Sequence, residues 1–525
     1  MLRRNVLIGA GASLSAPRFA RAQKSTTLKF VPYADLALAD PNFTNNFVSR
    51  THGLIIFDTL YGLDEAFKVQ PQMLAGHTVE ADGLLWRLTL REGQTFHDGS
   101  PVLARDAVAS LRRWGARDSF GGALFSATAE LSAPSDTVIQ FRLNRRFPLL
   151  PEALAKVTPF LPVIMPERLA LTPANVQLKE IVGSGPYRFS TDERVPGSLA
   201  VYRRFEAYRP RTEGVGSFTA GPRVAHFDRV EWHTIPDGAT AASALMAGEV
   251  DWVEQPNVDL VQRLGRNPAV RIDVVETQGL IAQVRLNHLQ KPFDNPAICA
   301  ALLGAVDQRV MMDAVAGTNP AVRRGPVAVF TPQSPSDSEE GMGVLTGPRD
   351  LAASRRALAD AGYSGEPVRL LAGSDVPRIN AVCEVMGDLC RKLGLNLDYV
   401  STDWGTVTQR LLNDKPVDQG GWSLYGLFSG GLDCMSPASH LLVRGVGRSG
   451  VPSWLTSAKL EELRGEWFAA RDEEGRARAS RAIQGEVLRV GAYLPCGQFV
   501  PPTAYRANLT DVARGLPIFT GLRRA

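Results

Sequence analysis

The chain has 525 residues, of which 44% are apolar and 21% are charged. This composition is ordinary for a globular protein and excludes a collagen-like, coiled-coil or mostly disordered chain. A chain of this length buries about 75% of its unfolded surface and needs no metal or disulfide staples to fold. Its five cysteines are also too few for a disulfide scaffold. At about 150 residues per compact unit, the length predicts three or four units.

The first 22 residues have the three parts of a secretory signal peptide. A basic start containing Arg3 and Arg4 precedes the apolar residues 6–16, and a small-x-small site ends at Ala22. The apolar stretch is about half as long as a membrane-spanning helix requires, so we expect cleavage rather than anchoring. The paired arginines favour the twin-arginine export route, although Val-Leu stands where Phe-Leu is more usual. We therefore predict that residues 1–22 direct export to the periplasm.

Removal of residues 1–22 also changes the charge of the chain. The segment contains four arginines and no acidic residue, so Lys plus Arg falls from 58 to 54 and equals the 54 Asp plus Glu. A neutral mature chain has no electrostatic reason to bind nucleic acid or an anionic membrane. We therefore expect no nucleic-acid partner.

Apolar periodicity predicts alternating strands and helices along the chain. In the first half, the predicted strands are residues 28–31, 84–91, 137–143, 230–235 and 250–253, and the predicted helices are 105–114 and 239–247. In the second half, helices at 351–361 and 378–393 alternate with strands at 368–372 and 395–400. Strand, helix and strand at this spacing are typical of parallel strands with helices on the sheet faces. The predicted fold class is therefore mixed α/β, in two large lobes.

The sequence contains no complete catalytic or metal-binding motif. No two of the seven histidines are four residues apart, and no Cys-x-x-Cys is present, so we predict no metal site. Gly183-Ser184-Gly185 lacks the spacing of a nucleophile turn and is interpreted as a tight turn. We expect no cofactor and no catalysis. Whether Cys434 and Cys496 form a disulfide after export stays open.

Several short phrases then occur in a recognisable order. They include PQMLA at 71–75, LREG at 90–93, FHDGSP at 96–101, GSGPY at 183–187, ALMAGEVD at 244–251 and ADAGY at 359–363. In this order they resemble the bacterial extracellular solute-binding proteins of the dipeptide, oligopeptide and nickel class, family 5, which serve ABC importers. The resemblance spans nearly the whole mature chain. It implies a periplasmic, monomeric receptor without catalysis. Such a receptor binds a peptide or a similar small polar solute in the cleft between its lobes and delivers it to permease subunits of the inner membrane.

The resemblance also implies the domain organisation. The family has the two-lobed periplasmic-binding-protein fold, type II, in its large three-subdomain class with mixed sheets and a hinge. By analogy, lobe I comprises residues 23–280 and 493–525, and lobe II comprises residues 281–492. The crossings would be residues 274–286 and 493–498. Two lobes joined by only two crossings have few contacts that resist rotation, which suits hinge closure on a ligand.

Ligands of α/β lobes gather beyond the carboxyl ends of strands, and two segments fit that position. Tyr33 and Asp35 follow the first predicted strand directly. The second segment, residues 422–431, is rich in aromatic residues and glycine, which suits the burial of a small, partly polar molecule. The predicted ligand-binding residues are Tyr33, Asp35, Trp422, Tyr425, Phe428 and Asp433.

The class of ligand is less specified than the class of protein. Peptide-binding relatives place an aspartate two or three residues after the corresponding tryptophan, where this chain has Leu424 and Tyr425. The nearest acid, Asp433, comes eleven residues after Trp422. Peptide is the family's usual ligand, and an opine, a modified amino acid, a sugar or a metal chelate are alternatives. A secreted hydrolase using Ser184, or a periplasmic sensor or partner protein on the same fold, are the competing functions.

Overall fold

The computed structural model describes residues 26–525. The predicted signal peptide, residues 1–22, lies outside the described residues. In chain order the strands are β1 (Thr27–Val31), β2 (Tyr61–Leu63), β3 (Val69–Pro71), β4 (Leu74–Glu80), β5 (Leu85–Leu90), β6 (Thr128–Ser132), β7 (Val138–Leu143), β8 (Tyr187–Phe189), β9 (Leu199–Arg204), β10 (Arg229–His233), β11 (Trp252–Val253), β12 (Val270–Asp273), β13 (Leu280–Leu286), β14 (Arg323–Arg324), β15 (Pro367–Gly373), β16 (Asn396–Thr402), β17 (Leu424–Gly430), β18 (Tyr493–Phe499), β19 (Thr503–Arg506), β20 (Leu509–Thr510) and β21 (Arg523–Arg524).

Helices alternate with these strands along both halves of the chain. They are α1 (Phe47–Ile56), α2 (Ala104–Gly115), α3 (Ser119–Ser126), α4 (Leu150–Leu154), α5 (Glu167–Ala170), α6 (Gly238–Ala247), α7 (Val258–Gly265), α8 (Pro296–Ala305), α9 (Gln308–Ala316), α10 (Gly343–Thr346), α11 (Leu351–Asp360), α12 (Pro377–Leu393), α13 (Trp404–Arg410), α14 (Ala458–Ala469) and α15 (Glu473–Val490). Among residues 26–525, every helix is too short or too polar to cross a bilayer.

Three sheets organise the described chain. The seven-stranded sheet has the order β12-β19-β11-β1-β10-β9-β8, and the six-stranded sheet has the order β14-β18-β13-β17-β15-β16. The third sheet, β4-β5-β7-β6, is antiparallel throughout. The two larger sheets are mixed, because β1 runs parallel to β10 and β11 while β10 runs antiparallel to β9. The predicted mixed α/β class is confirmed.

The unit β15-α12-β16 shows how local sequence produces the parallel pairing. Helix α12 begins with Pro377 in its first turn and ends at Gly394, which adopts a left-handed conformation at φ 78°. Both positions suit these residues, since proline lacks only an unneeded amide donor at the start and glycine has no Cβ to clash at the end. The helix returns the chain so that Val368 pairs in parallel with Leu397. The strand-helix-strand prediction for this segment is confirmed.

The chain passes between the two large sheets twice. It leaves β12 in the seven-stranded sheet and enters β13 in the six-stranded sheet through residues 274–279. It returns from β18 to β19 through residues 500–502. Residues 280–286, expected to belong to the first crossing, form strand β13. Residues 493–498, expected to form the second crossing, belong to the buried strand β18, which pairs with β13 and β14. Because the sheet captures this strand with backbone hydrogen bonds, the second crossing starts later than expected.

The first crossing lies against Gly431, which follows β17. The amide of Gly431 donates to the carbonyl of Gly279 at 2.7 Å, and a Cβ at position 431 would lie 1.9 Å from the carbonyl oxygen of Gln278. Any side chain here must therefore displace the crossing.

We expect Gly431→Ala to destabilise the folded protein by about 1–3 kcal/mol, because it overpacks a backbone contact that cannot yield locally. The midpoint of thermal unfolding of the purified mature protein measures this. Gly343→Ala is the matched control, since a Cβ at position 343 meets nothing within 4 Å. Equal midpoints for the two variants would show that the crossing moves freely.

All five cysteines are buried and free in the structure. Cys434 and Cys496, whose pairing the sequence left open, are therefore not bonded to each other. Burial raises the pKa of Cys496 to about 12 and also raises that of Cys434. Both groups are thus neutral thiols, which react slowly with thiol reagents.

Candidate functional site

Two parallel strands of the seven-stranded sheet end side by side and define one wall of the site. Val31 at the end of β1 pairs with Val253 at the end of β11. The residues that follow them meet, because the backbone amide of Tyr33 donates to Oε2 of Glu254 at 2.9 Å. Tyr33 was predicted from its place after a strand, and Glu254 occupies the equivalent place after the neighbouring strand.

A buried guanidinium lies next to this wall. Arg50 is on α1 and is 8% exposed, with its guanidinium carbon 4.9 Å from the centre of the Phe47 ring. Its Nε atom is buried and has no hydrogen-bond partner. Within residues 26–525, no carboxylate lies within the 4.0 Å of an ion pair with Arg50. A buried charge without an ion-pair partner is costly, so Arg50 is a candidate for contact with an anionic group.

Two further carboxylates complete a cluster around Arg50. Glu276 lies in the first crossing and accepts the backbone amide of Gln278 at 2.8 Å. Asp433 follows β17, and its Oδ1 atom is buried without a hydrogen-bond partner. We call Tyr33, Arg50, Glu254, Glu276 and Asp433 the polar cluster. Its members come from both large sheets and from a crossing between them.

Burial and charge together set the protonation of the polar cluster. Burial raises the pKa of Glu254 and of Glu276 to about 7, and it raises the pKa of Asp433 as well. The positive charge of Arg50 acts in the opposite direction on these carboxylates and on the partly exposed Tyr33, and lowers each pKa. Since charges influence a pKa strongly only at short range, Arg50 is close to every member of the cluster.

A second guanidinium lies between the two sheets. Arg378, in the first turn of α12, donates from Nη1 to Oε1 of Gln255 at 2.8 Å. Its guanidinium carbon is 4.8 Å from the centre of the Phe499 ring, and Phe499 packs edge-on against Phe428 at 5.7 Å. Burial lowers the pKa of Arg378 to about 10. Like Arg50, this side chain has no acidic partner within 4.0 Å among the described residues.

The comparisons with known proteins agree with this architecture. The model of the bacterial extracellular solute-binding proteins, family 5 Middle, matches residues 68–431. The chain belongs to this family. It is 30% identical, over 99% of its own length and 98% of the other, to a probable peptide ABC transporter periplasmic-binding protein of Sinorhizobium fredii.

Solved structures show the same fold at lower identity. The periplasmic binding protein AgaA of A. tumefaciens R10, in complex with agropinic acid, superposes with a TM-score of 0.78 at 19% identity, covering 95% of this chain and 99% of that one. The periplasmic binding protein DppA of Helicobacter pylori, in complex with the peptide STSA, has the same TM-score and identity and covers 95% and 98%. The predicted family and the two-lobed periplasmic-binding-protein fold are confirmed.

Within this family 5 chain, Trp422 and Tyr425 lie in a separate apolar cluster with Leu371, Val407, Leu411 and Trp454. Trp422 is fully buried, and its ring centre is 5.0 Å from that of Tyr425 and 5.5 Å from that of Trp454. The Tyr425 hydroxyl accepts from Arg285 and donates to the carbonyl of Pro452, both at 3.0 Å. The two residues thus support β17, and their role as ligand contacts stays a prediction.

Asp35 and Ser184 both have partners of their own. Asp35 accepts the hydroxyl of Thr234 at 3.2 Å, at the end of β10. The buried Ser184 hydroxyl donates to the carbonyl of Ile164 at 2.9 Å and accepts the amide of Asp58 at 3.0 Å. Ser184 therefore joins two chain segments, in agreement with the interpretation of its turn as structural.

The structure thus brings Tyr33 and Asp433 of the predicted residues near Arg50, and it packs Phe428 against Phe499, the ring that Arg378 also contacts. Sequence reasoning missed Arg50, Glu254, Glu276 and Arg378. Glu254 could have been predicted, because it comes just after a predicted strand, as Tyr33 does after another. A single charge in the otherwise largely apolar α1 was a weaker signal for Arg50. Glu276 lies in an irregular crossing and carries no such signal.

A groove elsewhere competes with the polar cluster on size alone. It has a volume of about 1040 Å³ and is lined in part by Trp86, Phe147, Phe468 and Arg464. It shares no residue with the polar cluster. In this groove the Arg444 and Glu461 side chains pair at 3.0 Å. The polar cluster differs from it in lying after the ends of β1, β11 and β17 and next to the first crossing.

Proposed function

We propose that this protein, the solute-binding component of an ABC importer, captures a peptide-like solute in the polar cluster and delivers it to a membrane permease. The observation that carries the proposal is Arg50, a guanidinium that is 8% exposed, has an unpartnered Nε and forms no ion pair among the described residues, although its charge lowers the pKa of three nearby carboxylates. A solute with both a carboxylate and an ammonium group supplies the missing partner of each kind.

The charges of the solute and of the polar cluster would compensate each other. Burial of a charge is tolerated when it is paired and hydrogen-bonded. Carboxylate and guanidinium groups form strong, often two-pronged hydrogen bonds, so Arg50 suits the solute's carboxylate. The carboxylates of Glu254 and Asp433 suit its ammonium. Arg378 provides a second guanidinium for a longer solute or for one with two carboxylates.

Relatives support a peptide or a similar compound as the ligand. The Sinorhizobium fredii relative is a probable peptide-transport protein, and the Helicobacter pylori structure contains a tetrapeptide, STSA. The AgaA structure contains agropinic acid, so an opine belongs among the compounds to be tested. The predicted export signal at residues 1–22 would place the receptor in the periplasm, facing the permease, where we expect it to act as a monomer.

We further propose that the two large sheets are the centres of two lobes that close on the solute. The lobes would be close to those expected from the sequence, except that residues 493–499 would join lobe II, with the crossings at residues 274–279 and 500–502. Side-chain contacts already join residues of the two predicted lobes, among them Arg378 to Gln255 and the hydroxyl of Ser119 to the carbonyl of Ala438 at 3.1 Å. Closure requires the solute to bind the closed form more tightly than the open form.

Thermal shift and small-angle scattering of the mature protein test this function together. We expect di- and tetrapeptides or an opine to raise the melting temperature, because a ligand that binds only the folded state stabilises it. The same compounds should reduce the radius of gyration. A compound that raises the melting temperature without any compaction would contradict closure, and failure of all peptides and opines would contradict the proposed solute class.

A further inference from the structure

The polar cluster and its surroundings contain more negative than positive groups. Glu254, Glu276 and Asp433 surround Arg50. Arg378 lies beyond Gln255, the residue that follows Glu254 in the chain. Even if both guanidiniums are counted, three carboxylates face two positive charges.

One other cation acts on this cluster, and it is already neutralised. The charge of Lys156 reaches Asp433 and lowers its pKa. The Lys156 ammonium, however, forms an ion pair with Asp118 at 2.8 Å, and both side chains are buried. Together the two contribute no net charge, so the excess of carboxylates remains.

Two carboxylates of the cluster retain an oxygen for a ligand. The carboxylate of Glu276 accepts from the backbone amides of Gln278 and Gly279. The amide of Tyr33 donates to Oε2 of Glu254, whose Oε1 has no hydrogen-bond partner in the described part of the chain. Oδ1 of Asp433 is buried and likewise unpartnered. The cluster can therefore accept hydrogen bonds from more than one cationic group.

We infer that the solute preferred by this site carries a net positive charge, with a second cationic group, such as a lysine or arginine side chain, beside the ammonium and carboxylate of a peptide. A simple zwitterion adds one charge of each sign and leaves the excess carboxylate uncompensated, whereas a second cation balances it. The inference rests on the proposed function, because it concerns the solute of the same site.

The inference has a consequence for pH. Burial raises the pKa of Glu254 and Glu276 to about 7, so the empty site takes up protons below that pH. The groups facing these carboxylates are Tyr33, Arg50 and Asp433. A bound cation replaces the protons and lowers both pKa values. Affinity for a cationic solute should therefore rise between pH 6 and pH 8, with release of protons on binding.

Calorimetric titration with matched dipeptides tests the charge preference. Ala-Lys and Ala-norleucine have side chains of similar length and differ in the terminal ammonium, and Ala-Glu carries the opposite charge. At pH 7.5 we expect Ala-Lys to bind at least about tenfold more tightly than Ala-norleucine, equivalent to about 1.4 kcal/mol. Ala-Glu should bind most weakly of the three.

Variants connect the preference to the carboxylates. Glu276→Gln should reduce the ratio of Ala-Lys to Ala-norleucine affinity by about tenfold, since it removes one negative charge and preserves shape. It should also flatten the dependence of Ala-Lys binding on pH. Glu339→Gln removes an exposed carboxylate and should leave both the ratio and the pH dependence as they are.

The outcomes separate this inference from the proposed function. Equal affinity for Ala-Lys and Ala-norleucine, or an unchanged ratio in Glu276→Gln, overturns the charge preference and leaves peptide binding intact. Agmatine, a dication without a carboxylate, is the additional probe. If agmatine binds while every peptide and opine fails, the charge preference holds and the peptide-like function is wrong. If agmatine also fails, both are wrong.

Discussion

Replacement of Arg50 by methionine is expected to weaken binding of a carboxylate-bearing solute by at least about thirtyfold. Removal of one partner from a buried, hydrogen-bonded charge pair costs about 2 kcal/mol or more. Methionine retains much of the apolar stem but lacks the guanidinium that lies over the Phe47 ring. The substitution should also change the charge of the carboxylates. Without Arg50 the pKa values of Glu254 and Glu276 rise further, so both groups become neutral near pH 7.

The stability of the empty protein should change in the opposite direction. Arg50 is 8% exposed and has no anionic partner, so its burial costs free energy that the solute recovers. We therefore expect the melting temperature of ligand-free Arg50→Met to equal or exceed that of the parent. The exposed Arg356→Met is the control for general loss of a positive charge. Unchanged solute affinity in Arg50→Met would falsify the assignment of the polar cluster as the ligand site.

Trp422→Ala is expected to destabilise the protein by about 3–5 kcal/mol, as is usual when a large aromatic residue is removed from a core. The indole is fully buried and packs against Tyr425 and Trp454, and its Nε1 donates to the carbonyl of Leu411 at 3.3 Å. The melting temperature of the ligand-free variant measures the loss. Trp422→Phe fills part of the same space, so its melting temperature should lie between those of the parent and of Trp422→Ala.

This variant also distinguishes two roles for Trp422. If the residue acts through the core, affinity measured well below the melting temperature changes less than stability does. A variant that melts like the parent but binds its solute poorly would instead support Trp422 as a direct ligand contact, as the sequence predicts.

Much of the fold could be predicted because its elements depend on local patterns. The alternation of Trp86, Leu88 and Leu90 predicts a strand, and β5 (Leu85–Leu90) is found there with these three side chains buried. The helix that starts at Pro377 and ends before Gly394 could also be predicted from its local sequence. The prediction of a crossing at residues 493–498 was wrong, because no local pattern distinguishes an extended crossing from a strand that is hydrogen-bonded within a sheet.

The candidate site was only partly predictable. Tyr33 and Asp433 were found because each follows a strand, and Glu254 obeys the same rule. Trp422 was selected for its aromatic character, but aromatic rings suit a core as well as a ligand site. Phe428 and Trp422 are both aromatic residues, and they differ in the neighbours that the tertiary structure places beside them. The local sequence does not specify those neighbours.

The amino-acid sequence alone determined the α/β class, most helix and strand positions, and the resemblance to family 5, since periodicity and short phrases depend on residues that are near each other in the chain. Only the tertiary structure decided that Arg50, Glu254, Glu276 and Asp433 lie close together. Their meeting depends on strand order and on two crossings between sheets, which bring together side chains from distant parts of the chain. Charge imbalance is likewise a property of that assembly, because a carboxylate's cost and its pKa are set by what surrounds it in space.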